Sequence, residues 1–259
     1  MINIYQDGTY IYNNPSLHEE DSEYKLNYIF KLMKKVSFHG QMVRVLDVGG
    51  GAGIISARVC GLLAKQGYQV ECHAFDLSED MLAKQKNNNP FITLATSDFE
   101  QIRKNGEYQL ALLIDVIEHI DDNKSFADEI NYLAKYLIYN IPLERNLMDW
   151  LRNIYMSGRY YPLQTSSLGH VHFFSASSAQ RFVRSHHQIL CSFFADLSKH
   201  ILESQFPNYI IQRKNLIRRV ELNTSQFVYR WMNWLAPWLV QGSMFFLAQR
   251  RMRGNNEIN

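Results

Sequence analysis

Short apolar runs alternate with amphipathic segments through the first half of the chain. The run MVRVLDV at 42–48 is followed by a glycine-rich turn and by GIISARVCGLLAKQG, whose apolar residues recur at helical spacing. Three further runs, YQVECHAFD, FITLATSD and YQLALLID, follow as predicted strands, and YLIYNIP is the next one. Strands that alternate with helices indicate an α/β fold, with a parallel sheet covered by helices on both faces.

Two amphipathic helices are predicted outside the glycine-rich region. The first lies within SEYKLNYIFKLMKKV, before the first strand, and places Leu26 and Ile29 on one face. The second precedes YLIYNIP. Its predicted apolar face consists of Phe126, Ile130, Leu133 and Leu137.

The alternation weakens after Pro142. SASSAQRFVRSHHQ is typical of a helix that opens with serine caps, ILCSFFADLS of a strand, and GSMFFLAQRR of a closing strand. The segment at about 197–240, rich in Trp and Arg, is longer than an ordinary sheet connection needs. We therefore divide the chain into an N-terminal lid and helix at 1–41 and a core at 42–259 with an inserted helical cover.

Composition narrows the class of protein. The chain has 259 residues, 46% of them apolar and 20% charged, as in an ordinary globular protein with a substantial core. Its net charge of +2 is too small to argue for nucleic acid as a partner. The start of the chain lacks a signal-peptide pattern, and Cys60, Cys72 and Cys191 show no metal-type pairing, so we expect a cytoplasmic protein.

One mostly apolar segment, at 227–248, is as long as a membrane span. It is interrupted by Arg230, Asn233 and Pro237 and by a Gly-Ser pair. These residues favour an amphipathic helix, a turn and a strand over a true membrane span.

The turn in RVLDVGGGAG provides a seat for a ligand at the start of a helix, where free backbone N–H groups favour negative charge. Gly49 and Gly51 fit the GxGxxG fingerprint of dinucleotide-binding folds, but Ile54 stands at its third glycine position and Gly53 comes one residue early. The turn alone is therefore a weak signal for a particular ligand.

Acidic residues follow the next strands in order. Asp76 ends the second strand, where it could accept both hydroxyls of a ribose, and Asp98 ends the third, where it could meet the amine of an adenine. Asp115, Glu118 and His119 follow the fourth strand. Capping of helices by acidic residues explains one or two of these positions, but not the full ordered set.

Taken together, these motifs resemble the class I S-adenosylmethionine-dependent methyltransferases of the small-molecule type. VLDVGGGAG is similar to their glycine motif, FDLSEDML to the ribose motif, SDFE to the adenine turn and LLIDVIEHIDD to the fourth-strand signature. The resemblance covers 42–142 and, less closely, 169–178; LAKYLIYNIP departs from it by lacking the usual Lys-Pro-Gly-Gly turn. It implies a Rossmann-like, doubly wound, mostly parallel seven-stranded sheet with helices on both faces.

The resemblance also implies a binding site for S-adenosylmethionine. Each part of the cofactor is assigned to the motif that meets it in the family. The implied contacts are Asp47, Gly49, Gly51 and Gly53 for the methionine part, Asp76 and Leu77 for the ribose, Asp98 and Phe99 for the adenine, and Asp115 and Val116 for the sulfonium.

Methyl transfer from a sulfonium is an in-line displacement, and a base is needed only when the acceptor proton is not already labile. His119 and His170 are the candidate bases, with His172 and His18 as further candidates. Together with Glu118, the first two are similar to the metal-holding residues of small-RNA 2′-O-methyltransferases. Those enzymes carry a glutamate at the position of Asp115, and the same fragments occur in metal-free methyltransferases, so we expect no metal.

The N-terminal segment DGTYIYNNPSLHEEDSEYK is predicted to fold over the cofactor as a helical lid. It carries Tyr10, Tyr12 and His18, which a plain capping turn, the alternative interpretation, does not need.

The predicted function is S-adenosylmethionine-dependent methylation of a small or lipid-linked metabolite, on oxygen rather than nitrogen or carbon. The alternatives are a nucleic-acid methyltransferase of the 2′-O type, which the basic segment RKNLIRR at 213–219 favours, and a non-catalytic cofactor-binding scaffold. Nucleic acid is not an expected partner.

Trp231, Trp234 and Trp238 of the insertion have two interpretations. They either extend the core or belong to an amphipathic cover that admits an apolar substrate and makes peripheral contact with a membrane surface.

Overall fold

The fold rests on one seven-stranded sheet with the order β3-β2-β1-β4-β5-β7-β6. Our computed structural model describes residues 12, 16–17 and 19–251, so the expected lid residues Tyr10 and His18 lie outside it. Strands β1 to β5 pair in parallel, and β7 runs antiparallel to both β5 and β6, as in the class I methyltransferase fold. The strands are β1 (Met42–Val48), β2 (Gln69–Phe75), β3 (Ile92–Thr96), β4 (Tyr108–Ile114), β5 (Ala134–Leu143), β6 (His187–Ala195) and β7 (Gly242–Arg250). The predicted α/β fold with a mostly parallel sheet is confirmed.

Helices connect the strands and flank the sheet. Before β6 they are α1 (Ser22–Met33), α2 (Ile54–Lys65), α3 (Glu79–Asn88), α4 (Phe99–Lys104), α5 (Asn123–Leu133), α6 (Leu147–Tyr155), α7 (Tyr160–Leu168) and α8 (Ala176–His186). Between β6 and β7 they are α9 (Ser198–Glu203), α10 (Pro207–Lys214), α11 (Leu216–Trp231) and α12 (Ala236–Leu239). Short 3-10 turns cover Glu19–Asp21 and Ile117–His119.

Two hydrophobic cores lie on opposite faces of the sheet. Successive residues of a strand point to opposite faces, and β4 places Leu110 and Leu112 in one core but Ala111 and Leu113 in the other. The first core contains the apolar faces of α1 and α2, and the second contains those of α5 and α8. Both faces of the sheet are therefore covered.

One predicted helix was too long. The prediction placed Leu137 on the apolar face of α5, but the helix ends at Leu133 and Leu137 lies in β5, paired with Ala111. The run from Ala134 onward is apolar enough to fit either a helix or a buried strand, and its pairing with β4 makes it a strand. Helices α6 and α7, which follow β5, were missed.

The insertion at 197–240 consists of helices α9 to α12, and it leaves and re-enters the sheet where Ala195 of β6 pairs with Ser243 of β7. Trp231, Trp234 and Trp238 are half or more exposed, so their interpretation as extra core is wrong. Within the described ranges, no helix combines the length and the apolarity needed to cross a membrane.

Candidate active site

The glycine turn after β1 adopts backbone conformations that side chains resist. Gly49, Gly51 and Gly53 have φ values of 59°, 54° and 77°. A Cβ atom on Gly53 would lie 2.9 Å from the Cα of Gln85, and one on Gly49 would lie 3.1 Å from Val116. The lack of a side chain at Gly53 thus lets α3 approach the turn, and the lack of one at Gly49 lets the residues after β4 do so. Among the described residues, the atom nearest to a Cβ built on Gly51 is the backbone oxygen of Leu17, at 3.7 Å.

Asp47 lies buried beneath this turn, and a Cβ atom on Gly50 would overlap its carboxylate. Burial, first of all, raises the pKa of Asp47 to about 6, and the nearby charge of Asp76 adds to the shift. Its Oδ2 atom has no hydrogen-bond partner among the described residues. A buried acceptor without a partner, next to glycine backbone, fits a ligand that carries an ammonium group, as the methionine part of S-adenosylmethionine does.

Asp76 is buried at the carboxyl end of β2. Its Oδ1 accepts a hydrogen bond from the Ser78 backbone N–H at 3.0 Å, and its Oδ2 accepts one from Gln85 Nε2 at 3.1 Å. Burial raises its pKa to about 6 despite these bonds. Each carboxylate oxygen can accept a second hydrogen bond, so the group still suits a ribose. Leu77, beside it, exposes 44% of its surface.

At the end of β3, Asp98 caps helix α4, because its carboxylate accepts a hydrogen bond from the Glu100 backbone N–H at 2.9 Å. Phe99 packs edge-on against Phe75 of β2, with 5.1 Å between ring centroids. The capping alternative therefore accounts for Asp98, and the contact of Asp98 and Phe99 with adenine stays a prediction.

Asp115, directly after β4, has a φ of 55°, a strained conformation for a residue with a side chain. Its carboxylate lies 2.6 Å from Lys25 Nζ of α1 and accepts a hydrogen bond from Asn140 of β5. The side chain of the next residue, Val116, lies so close to Gly49 that a Cβ atom on this glycine would be 3.1 Å from it. The Asp115–Val116 pair thus lies between the glycine turn and the cavity described next.

A cavity of about 440 Å³ lies beyond Asp115. Its wall contains Asp115 directly after β4, the ends of β5 and β7, and residues of α1, α7, α9, α10 and α11. His119 and His170, the two predicted bases, both line it. Its position next to the cofactor motifs makes it the candidate acceptor pocket.

Glu118, His119 and His170 form a cluster in this cavity. One candidate ligand atom from each lies within 4.8 Å of the others, so the three residues could hold a metal ion. Glu118 is fully buried, and within the described part of the chain neither of its carboxylate oxygens has a hydrogen-bond partner. Burial first, and then the charges of Asp115 and Glu144, raise the pKa of Glu118 well above its usual range. The expectation that no metal is used stays a prediction.

Glu144, one residue past the end of β5, was not among the predicted site residues. It is buried, and its Oε2 lies 2.8 Å from His170 Nδ1. The only sequence signal for it is an acidic residue at the carboxyl end of a strand that lacks the family's usual turn. His172 instead donates from Nε2 to the backbone oxygens of Ile120 and Asp121, both at 3.0 Å, which is a structural contact.

The start of α1 and the insertion contact each other over the cavity. The Tyr209 hydroxyl of α10 donates a hydrogen bond to the Asp21 carboxylate. His200 of α9 donates from Nε2 to the backbone oxygen of Glu20 at 2.8 Å. The turn at Glu19–Asp21 and the insertion therefore cover the cavity together, and the predicted lid at 1–11 lies outside the described residues.

The chain belongs to a methyltransferase domain family, whose profile matches residues 19–186. S-adenosylmethionine is the methyl donor of this family, so the chain carries a methyltransferase domain that uses this cofactor. The residues that hold the cofactor stay predictions, which the buried Asp47 and the glycine turn fit.

The chain is also similar in sequence to one curated relative over part of its length, and in fold to solved structures. The ubiquinone biosynthesis O-methyltransferase of Rickettsia bellii is 29% identical over 104 residues, which are 39% of this chain and 42% of that protein. Phosphoethanolamine N-methyltransferase 2 of Haemonchus contortus, solved with phosphomonomethylethanolamine and S-adenosylhomocysteine, aligns with a TM-score of 0.55 and 15% identity over 87% of this chain and 53% of that one. The cyclopropane synthase MmaA2 of Mycobacterium tuberculosis aligns with a TM-score of 0.54 and 13% identity over 86% and 84%. At such identities the two structures show the fold alone.

Proposed function

We propose that this methyltransferase methylates a hydroxyl oxygen of a small or lipid-linked metabolite bound in the cavity. The observation that carries the proposal is the hydrogen bond between Glu144 and His170 at the cavity wall. S-adenosylmethionine, when bound, supplies a methyl group activated by its sulfonium. What the chain must then supply is an aligned acceptor and a place for the hydroxyl proton.

His170 is suited to take that proton. With Nδ1–H donated to Glu144 Oε2, the other ring nitrogen, Nε2, keeps its lone pair and can accept a proton from the acceptor hydroxyl. The buried Glu144 carboxylate holds the ring in this tautomer and stabilises the imidazolium that forms. His119 lies next to it, with 4.7 Å between ring centroids, and is the second candidate.

The charge of the cavity bears on the acceptor. The described lining contains two basic side chains, Lys25 and Arg218, against a larger set of carboxylates. The carboxylates are Glu20, Asp21, Asp115 and Glu144. Glu118 also lines the cavity, but its raised pKa favours the neutral form, so it is not counted as a charge. A phosphodiester would be repelled by this lining, which supports a neutral or cationic acceptor over nucleic acid.

The basic segment at 213–219 also gives little support to a nucleic-acid substrate. Arg213 donates to the backbone oxygen of Leu202, and Arg218 bonds to Glu221 and Gln241. Both arginines therefore serve the packing of the insertion. The Rickettsia relative is an O-methyltransferase, which supports oxygen as the acceptor atom over the part of the chain that it matches.

The test is a turnover assay with radiolabelled S-adenosylmethionine and a panel of small and lipid-linked metabolites that carry hydroxyl or amine groups. We expect His170→Ala to lower turnover by roughly 10²–10⁴-fold, the usual contribution of a general base. Binding of S-adenosylhomocysteine, measured by calorimetry, should be unchanged. His39→Ala, at an exposed histidine before β1, is the matched control and should behave as wild type.

Two results would overturn the proposal. Label transferred only to amine acceptors would reassign the acceptor atom to nitrogen. Normal cofactor binding without label on any acceptor would favour the non-catalytic scaffold.

A further inference from the structure

All four tryptophans of the chain lie on the surface. Trp150, Trp231, Trp234 and Trp238 expose between 50% and 69% of their areas. Tryptophan is highly buried on average, so four exposed copies in one protein need an explanation.

Trp150 belongs to an apolar face of helix α6. Leu147, Trp150, Leu151 and Ile154 recur at the spacing of one helical face, and each exposes about half of its surface. Asp149, on the other side of the helix, is buried. Helix α6 thus turns its apolar face to solvent and a charged residue inward, the reverse of the usual arrangement.

Helix α11 carries a similar outward face. Leu216, Val220, Phe227 and Trp231 lie at spacings of four, seven and four residues, which keeps them on one side of the helix, and all are exposed. The opposite side, with Leu222 and Ser225, lines the cavity. One helix therefore separates the candidate acceptor pocket from an exposed apolar surface.

The two helices and the short helix α12 are packed together. Met148 of α6, Val228 of α11 and Ala236 of α12 share one hydrophobic cluster. Arg152 of α6 also pairs with Glu221 of α11 at 2.7 Å. We call the exposed apolar residues of these helices and of the turn between α11 and α12 the outer apolar surface. It consists of Leu147, Trp150, Leu151, Ile154, Tyr155, Leu216, Ile217, Val220, Phe227, Trp231, Met232, Trp234 and Trp238.

The charges around this surface are positive. In 145–168 and 204–241 the acidic residues are Asp149 and Glu221, and arginines 152 and 218 pair with them. The exposed charged side chains of these segments are all basic. They are Arg145, Arg159, Lys214, Arg219 and Arg230.

We propose that the outer apolar surface docks onto the surface of an anionic lipid bilayer. Exposed tryptophans and aliphatic side chains suit the region between headgroups and acyl chains, and the surrounding basic residues complement negative headgroups. The inference deepens the proposed function and rests on it in one respect: a docked α11 places the cavity next to the bilayer, where a lipid-linked acceptor would be presented.

The test is flotation of the purified protein with lipid vesicles. At low salt we expect the protein to float with vesicles that contain phosphatidylglycerol and to stay behind with phosphatidylcholine alone. Trp231→Ser/Trp234→Ser and, separately, Arg219→Glu/Arg230→Glu should each lower the bound fraction at least tenfold. Lys65→Glu/Lys86→Glu, two exposed lysines on α2 and α3, is the matched charge control and should float as wild type.

Three outcomes would overturn docking. They are no flotation of the wild type with anionic vesicles, an equal loss of binding in the lysine control, and a concentration-dependent dimer that the tryptophan variant abolishes. The third outcome would assign the surface to a second copy of the chain. Flotation needs no turnover, so a protein that floats but methylates no hydroxyl keeps the docking surface and loses the proposed function.

Discussion

Lys25 of α1 and Asp115 after β4 are joined by an ion pair with 2.6 Å between Nζ and Oδ2. The pair connects the helix that precedes the sheet to the point where the cofactor motifs meet the acceptor cavity. Asp115 holds its strained φ of 55° there, so the contact helps to keep an unfavourable backbone conformation at the site.

The first prediction concerns this pair. Lys25→Met should destabilise the protein by about 1–2 kcal/mol, because a mostly buried Asp115 loses its counter-charge; the remaining solvent access of the pair keeps the cost below that of a fully buried one. The measurement is urea unfolding. Lys25→Met/Asp115→Asn should recover part of the loss, and additive effects of the two substitutions would show that the pair contributes nothing.

The second prediction concerns Asp76. Asp76→Ala should weaken S-adenosylhomocysteine binding by roughly a hundredfold, the equivalent of about 3 kcal/mol for two charge-assisted hydrogen bonds to ribose. Calorimetry measures it. Because Asp76 also accepts bonds from Ser78 and Gln85, the variant must be shown to be folded at the assay temperature by circular dichroism. Unchanged affinity would remove Asp76 from the binding site.

The third prediction concerns pH. Asp47 has a pKa of about 6 in the folded protein, above its unfolded value of about 3.9, so the folded state binds more protons between these values. Stability contributed by this group is therefore present below about pH 4 and is lost as pH rises through about 6, by up to about 3 kcal/mol. Asp47→Asn should flatten this part of the profile in urea unfolding without cofactor. An unaltered slope would show that Asp47 is not the group responsible.

The fourth prediction concerns the metal. We expect turnover of the wild type to be unaffected by dialysis against a chelator. Loss of activity that a divalent cation restores would contradict this expectation and assign the cation to Glu118, His119 and His170. Glu118→Gln would then lower the cation's affinity, measured by calorimetry, in a protein that still binds S-adenosylhomocysteine.

The fifth prediction compares two glycines. Gly53→Ala should destabilise the protein by more than about 1 kcal/mol, because φ is 77° and the new Cβ would meet the backbone of Gln85. Gly61→Ala lies inside α2, where no atom of another described segment comes within 4 Å of the new Cβ, so it should instead stabilise the protein by about 0.5–1 kcal/mol. The measurement is the melting temperature of each variant, and equal changes in the two melting temperatures would contradict the strain at Gly53.

Local pattern was enough to predict the cofactor half of the fold. The strand at Met42–Val48 was predicted to the residue, because apolar periodicity and the glycines that follow both mark its ends. Strand β5 begins at Ala134, two residues before its predicted start at Tyr136. The difference arises because an apolar run without turn residues fits a helix and a buried strand equally well. Pairing with β4 settles it, and that contact is not visible in the local sequence.

The acceptor side was predicted less completely, because long-range contacts build it. His119 and His170 were predicted from motifs, but the Glu144 carboxylate that orients His170 comes from a position 26 residues away. Likewise, nothing near Asp21 in the sequence indicates that Tyr209 donates to it. The outward faces of α6 and α11 mislead pattern reasoning, which assigns apolar helical faces to the core.

The meeting of Ala195 with Ser243 at the sheet makes residues 196–242 a single hairpin loop in topological terms. The chain ends of that loop are already side by side, and the entropy of closing a loop grows only slowly with its length. A different loop could therefore be fitted to the same two strands with little cost to the sheet or to the glycine turn. A change of this loop would alter one wall of the cavity and the α11 and α12 part of the proposed docking surface together, while the cofactor half stays as it is.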